Sequence, residues 1–127
     1  MIGYQYAVLR LVPAVEREEF VNVGVVVYAQ MADHLEIAWR LRPALVRALA
    51  PTIDVAEIET ALTSLADCAA GRATPGKPEI RSLGARFGWL TAPRSTSIQP
   101  GPVHGGLTDD PAAETQRLLD RLIGSRA

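Results

Sequence analysis

The sequence predicts an α+β fold: one antiparallel sheet of three or four strands with helices packed mainly on one face, in a single domain over residues 1–127. Three observations predict it. Residues 21–29 (VNVGVVVYA) are the most apolar run in the chain and are apolar on both faces, which marks a central strand covered above and below. Two further segments of strand character, residues 4–12 and 34–42, flank that run with short connections. Helical periodicities follow the strands instead of alternating with each of them, which argues against a doubly wound α/β fold.

The bulk properties agree. A chain of 127 residues suits one core and can bury roughly two-thirds of the surface its unfolded form exposes. Hydrophobic residues make up 48% and charged residues 21%, the balance of a globular chain and not of a disordered one. The longest apolar stretch, residues 23–29, is far short of the roughly 20 residues needed to cross a bilayer. The opening residues MIGYQYAVLR lack the basic start and apolar run of an export signal, so a cytoplasmic protein with no membrane contact is expected. Cys68 is the only cysteine, which excludes an intramolecular disulfide and a multi-cysteine metal site.

Charge is uneven within a net −1. Residues 51–71 carry four acids and no base, and residues 72–104 carry Arg72, Lys77, Arg81, Arg86 and Arg94 against Glu79 alone. The simplest use of that basic segment is to neutralise the acidic helix before it. No nucleic-acid motif accompanies it, so a nucleic-acid partner is disfavoured.

Taken in order, residues 4–12 (YQYAVLRLV) are rich in β-branched and aromatic side chains and end at Pro13, which cannot donate to a ladder. Arg10 stands among apolar neighbours there, and Glu16, Glu18 and Glu19 are its expected partners. In the central strand, Val21, Val23, Val25, Val27 and Ala29 are expected on one face, with Phe20, Asn22, Gly24, Val26 and Tyr28 on the other. Residues 34–42 alternate Leu35, Ile37, Trp39 and Leu41 against polar neighbours, completing an antiparallel meander. Pro43 opens a short helix that Pro51 stops. Asp54 caps a longer helix with Glu57 three residues on; Val55, Ile58, Leu62, Leu65 and Ala69 line one side up to Gly71, and Cys68 beside that stripe reads as a buried structural thiol. Residues 71–78 (GRATPGKP) form a polar surface connection. A helix weakened by Gly84 and Gly88 is expected over residues 80–91, then a fourth strand over residues 94–99 and an irregular loop over residues 100–107. Asp110 and Pro111 open the last helix, with Leu118, Leu119, Leu122 and Ile123 inward, Glu114, Arg117, Asp120 and Arg121 outward, and Gly124 closing it.

Two segments are more distinctive than any periodicity. YQYAVLRLVP with EREEFVNVGVVV, and GWLTAPRSTSIQPGPVHGGLTDDPAAE, resemble the signature ends of a small bacterial family of uncharacterised proteins, domain of unknown function 3037. The resemblance runs from Tyr4 to the last helix. It implies a regulatory or partner role, since members lie near kinases of the HipA-like type, and it brings no set of catalytic residues.

The residues themselves suggest one leading site. Arg94 offers a planar fork to an oxyanion, Ser95, Thr96, Ser97 and Gln99 add neutral hydrogen bonds, His104 adds an imidazole, and Gly105 with Gly106 could turn backbone N–H groups towards the same anion. Asn22, polar inside the most apolar strand, must hydrogen-bond to something, most simply that loop. The bland counterpart is a turn-rich loop that satisfies its own backbone. A second reading has Glu16, Arg17, Glu18 and Glu19 as the patch on which a protein partner, such as a HipA-like kinase, docks. A metal held by His104, Asp109, Asp110 and the Glu16–Glu19 carboxylates lacks a recognisable ligand spacing, so no metal and no cofactor are expected. A Ser95 or Ser97 nucleophile lacks the GxSxG elbow. The sequence therefore points first to a non-catalytic binding or regulatory module engaging a protein partner or an anionic small ligand. The alternative is a small hydrolase or phosphotransfer enzyme with His104 as acid-base and Arg94 as oxyanion clamp. A homo-oligomer is compatible with either.

Overall fold

The computed structural model describes residues 1–72 and 79–124, so most of the connection expected at 71–78, Lys77 included, lies outside the described residues. The chain order is β1 (Ile2–Leu11), β2 (Val21–Ala29), β3 (His34–Trp39), α1 (Pro43–Leu49), α2 (Val55–Ala70), α3 (Leu83–Leu90), β4 (Ile98–Pro100), β5 (His104–Thr108) and α4 (Pro111–Leu118), the last running on into a π-helical turn, Leu119–Ile123. All pairings are antiparallel. The strands lie in the order β3, β2, β1, with β4 and β5 both on the far edge of β1. The α+β class holds, and the expected meander of β1 to β3 forms.

The sheet has five strands, one more than the upper expectation. The extra strand is β5, which replaces the irregular loop predicted for residues 100–107. Its residues pair from Thr108 opposite Ile2 to His104 opposite Tyr6, while β4 pairs with Leu9 to Leu11. Residues 98–108 thus run as one strand interrupted at 101–103, where Gly101 still donates to the Val8 carbonyl at 2.7 Å. A partner strand rescues pairing where local turn propensity predicted none.

Helices α1, α2 and α3 cover one face. Ala7, Leu9 and Leu11 of β1 meet Val46, Ile58, Leu62, Leu65, Phe87 and Leu90 there. The other face of the sheet is covered by α4 and its π-helical turn, where Tyr4, Val25, Val27 and Ala29 pack on Leu118, Leu119 and Ile123. This double cover is why β2 reads as apolar on both sides. Its single-parity face assignment fails, however. Leu9 pairs with Gly24 and Arg10 with Asn22, so Val23 is an extra residue that bulges the strand. Val21, Val23 and Val26 therefore face the α2 side, and Val25, Val27 and Ala29 the α4 side. Gly24 sits at this bulge because a Cβ there would lie 2.8 Å from the Ala38 carbonyl oxygen of β3.

The caps follow the sequence. Asp54 accepts from the Ala56 amide at 3.0 Å, Gly71 ends α2 in the left-handed region at φ 74°, and Asp110 accepts from Ala112 and Ala113. Arg72 pairs with Asp67 at 2.8 Å, and Arg86 donates to the Ile80 and Arg81 carbonyls. Part of the basic segment is thus spent beside the acidic helix.

Candidate functional site

The expected single site is divided by the sheet. Arg94 lies on the α2 face, just beyond α3, with its guanidinium 4.7 Å from the Trp89 ring centroid and Nη2 donating to the Trp89 carbonyl at 2.5 Å. His104 lies on β5 and packs against Tyr6 with ring centroids 5.3 Å apart, on the α4 face. Asn22 pairs with Arg10 on that same face. Arg94 and His104 therefore do not converge, and the acid-base and oxyanion-clamp pair has no common pocket. Neither does the Asn22 amide hold the Arg94 loop: among the described residues its side chain makes no hydrogen bond, and its carbonyl accepts from Arg42 Nη2 at 3.3 Å.

The other members of the expected site are largely spent locally. Thr96 Oγ1 donates to the Ile98 carbonyl at 2.8 Å, Gln99 Nε2 donates to the Thr96 carbonyl at 3.0 Å, and the Ser97 carbonyl accepts from Val12. Ser95 is exposed. Gly105 is a β5 residue opposite Gln5. Gly106 serves packing, not anion binding, because a Cβ there would come within 2.8 Å of the Tyr4 ring. Glu16, Arg17, Glu18 and Glu19 form an exposed turn in which Arg17 and Glu19 pair at 2.6 Å. None of these acids pairs with Arg10, which instead lies 4.3 Å from the Phe20 ring centroid. Among the described residues, no cluster of three or more His, Cys, Asp or Glu side chains has the arrangement of a metal site.

What the fold does assemble on the α2 face is a cleft of about 610 Å³ between α2 and the chain from Trp89 to Ile98. Ile58, Leu65, Trp89 and Ile98 give it an apolar lining; Arg94, Ser64 and Glu57 give it polar points. The spacing of Ile58, Ala61 and Leu65 puts them on one side of α2, so the capped helix supplies one wall as a unit. Burial lowers the Arg94 pKa, and the nearby Cys68 acts in the opposite sense. Among the described residues, no carboxylate lies within ion-pair distance of Arg94. The guanidinium is thus partly stripped of water, and it donates a hydrogen bond to the Trp89 carbonyl.

On the α4 face the structure holds a polar network that helical periodicity had placed outside. Tyr4 Oη donates to Glu114 Oε1 at 2.8 Å, and Glu114 takes Arg117 Nε through both oxygens, at 3.1 and 2.8 Å, and Arg117 Nη2. The Arg117 hydrogen bonds pull the Glu114 pKa below its usual value against the opposing effect of burial. Burial, then Glu114, raises that of Tyr4. The i, i+3 spacing of Glu114 and Arg117 was legible as a helix pair. Nothing local told that a tyrosine 110 residues away would bury it.

Fold and site together define a small α+β protein with an open, arginine-bearing cleft on one face of an antiparallel sheet and no assembled acid-base pair among the residues the sequence singled out. The chain belongs to the family described as protein of unknown function DUF3037, whose model matches residues 6–123. No curated protein and no solved structure matches the chain. Among the described residues, no helix is long and apolar enough to cross a membrane.

Proposed function

We propose that the protein is a non-catalytic binding module whose cleft between α2 and Trp89–Ile98 receives a small amphipathic acid, with the acid group on Arg94 and the apolar body along Ile58, Leu65, Trp89 and Ile98. The observation that carries this reading is the partly buried Arg94 guanidinium, without a carboxylate partner among the described residues, in the wall of an apolar-lined cleft. An incoming anion would offset the desolvation that lowers its pKa. The volume lies within the range of small-ligand sites. Glu57 on the same cleft disfavours a second negative charge, so a monoacid fits better than a diacid.

The test compares octanoate and indole-3-acetate with their uncharged amides by calorimetric titration. The acids bind and the amides do not. Arg94→Ala weakens the acids by about tenfold to a hundredfold, as expected for hydrogen bonds to a charged group, and Ala61→Trp, which fills the cleft, abolishes binding. Equal binding of acid and amide, or full affinity in Arg94→Ala, would sink the proposal.

A further inference from the structure

The two distinctive sequence segments do meet, but at Arg10. Arg10 pairs across β1 with Asn22 of β2 on one side and with Gln99 of β4 on the other. Residues directly opposite in an antiparallel ladder share a face, so Asn22, Arg10 and Gln99 form a polar row on the α4 side of the sheet. Arg42 extends the row, since its guanidinium reaches the Asn22 carbonyl.

Among the described residues, the Arg10 side chain makes no hydrogen bond or ion pair. The Phe20 ring lies under its guanidinium. Gly101 lies against it so closely that a Cβ would stand 3.1 Å from Cζ and 3.2 Å from Nε and Nη2. Nε is fully covered and has no hydrogen-bond partner. Among the described residues, neither Arg10 nor Arg42 has a carboxylate within ion-pair distance; the nearby Arg40 takes Asp120 at 2.9 Å. An arginine that only needed to be buried would be expected to satisfy its N–H groups, because a buried donor left unpaired costs on the order of 1–3 kcal/mol. Here a guanidinium lies between a ring and a backbone, Asn22 on the neighbouring strand makes no side-chain hydrogen bond among the described residues, and a second cation sits on the Asn22 carbonyl. That is a set of donors with no acid to neutralise it, in a chain whose net charge is −1.

We propose that Arg10, Asn22 and Arg42 form an anion site for a phosphoryl group, separate from the Arg94 cleft and on the opposite face of the sheet. Two cations flanking a neutral donor match a dianion better than a single carboxylate. The anion meets the Nη groups of Arg10, since Nε is fully covered. The exposed Phe20 ring beside them lets the site take a phosphomonoester with an organic body.

Calorimetric titration of the full chain with inorganic phosphate, phenyl phosphate and acetate, at constant ionic strength set with potassium chloride, tests this. Saturable binding of phenyl phosphate, with acetate inert, is expected; inorganic phosphate binding equally well would assign the site to the free ion, and weaker binding would assign it to a monoester. Arg10→Gln and Arg42→Gln each weaken binding at least about tenfold, the loss of one charge-assisted hydrogen bond or more. Gly101→Ala keeps every charge but makes the Arg10 guanidinium give way by roughly a few tenths of an ångström, and it too weakens binding while the circular dichroism spectrum stays that of the parent. Absence of saturable binding by either phosphate, or undiminished binding in Arg10→Gln and Gly101→Ala, overturns the proposal. Arg94→Ala leaves this site unchanged, so the two sites succeed or fail separately.

Discussion

Tyr4→Phe isolates the bond that ties α4 to the sheet. Tyr4 is 7% exposed and the Glu114 residue that accepts from it is also buried, so water cannot readily replace the lost hydroxyl. Glu114 keeps Arg117, which means that the variant strands no charge and removes a single hydrogen bond to an ionised acceptor. Such a bond contributes about 1.5–3 kcal/mol, and the retained Arg117 puts this case at the lower end, about 1.5 kcal/mol. For a chain of this length the loss lowers the melting temperature by roughly 3–8 °C. Urea unfolding followed by the fluorescence of Trp39 and Trp89 gives the difference directly, and amide exchange places it, with protection falling first along α4. A cycle with Glu114→Gln then measures the coupling between the two side chains. Tyr4→Phe as stable as the parent, or a cycle with no coupling, would refute the claim that this pair docks the helix.

The same network makes stability depend on acid. Glu114 titrates below its usual value of 4.5 in the folded chain, so its stabilisation is complete above that value and is lost as pH falls through the lower folded pKa. Urea midpoints measured from neutral pH downwards should fall in that window, and less steeply in Tyr4→Phe. Tyr4 has the opposite sign: its folded pKa is raised, so its contribution is lost as pH climbs beyond 10, and Tyr4→Phe should flatten that alkaline limb. Gly24→Ala places a methyl group 2.8 Å from the Ala38 carbonyl and 3.0 Å from Trp39 Cβ. It must push β3 away from the bulge, and a cost of about 1–3 kcal/mol in urea unfolding is expected.

Features that depend on neighbours in sequence were legible. Asp54 and Gly71 bound α2, Asp110 and Pro111 start α4, and the strong strand character of residues 21–29 does belong to an interior strand. Caps, turns and periodicity act over a few residues, so the residues that cause them stand side by side in the chain. Three other features were decided by partners far away. Residues 104–108, with two glycines and little strand propensity, become β5 because β1 offers an unpaired edge. The bulge at Val23 reverses the faces of half a strand, which no alternation pattern reveals, because the extra residue is defined only against Leu9 and Arg10 opposite. Glu114 looked solvent-facing and is buried because a tyrosine at the other end of the chain reaches it.

The candidate sites divide in the same way. The sequence picked out Arg94, Asn22, Gln99 and His104 as residues with chemistry to offer, and their types follow from composition alone. Which of them share a face was set by strand register. The bulged ladder puts Asn22 and Gln99 on either side of Arg10, and the sheet stands between that row and Arg94. Residue identity limits what a side chain can bind; pairing across the sheet decides which side chains can bind together.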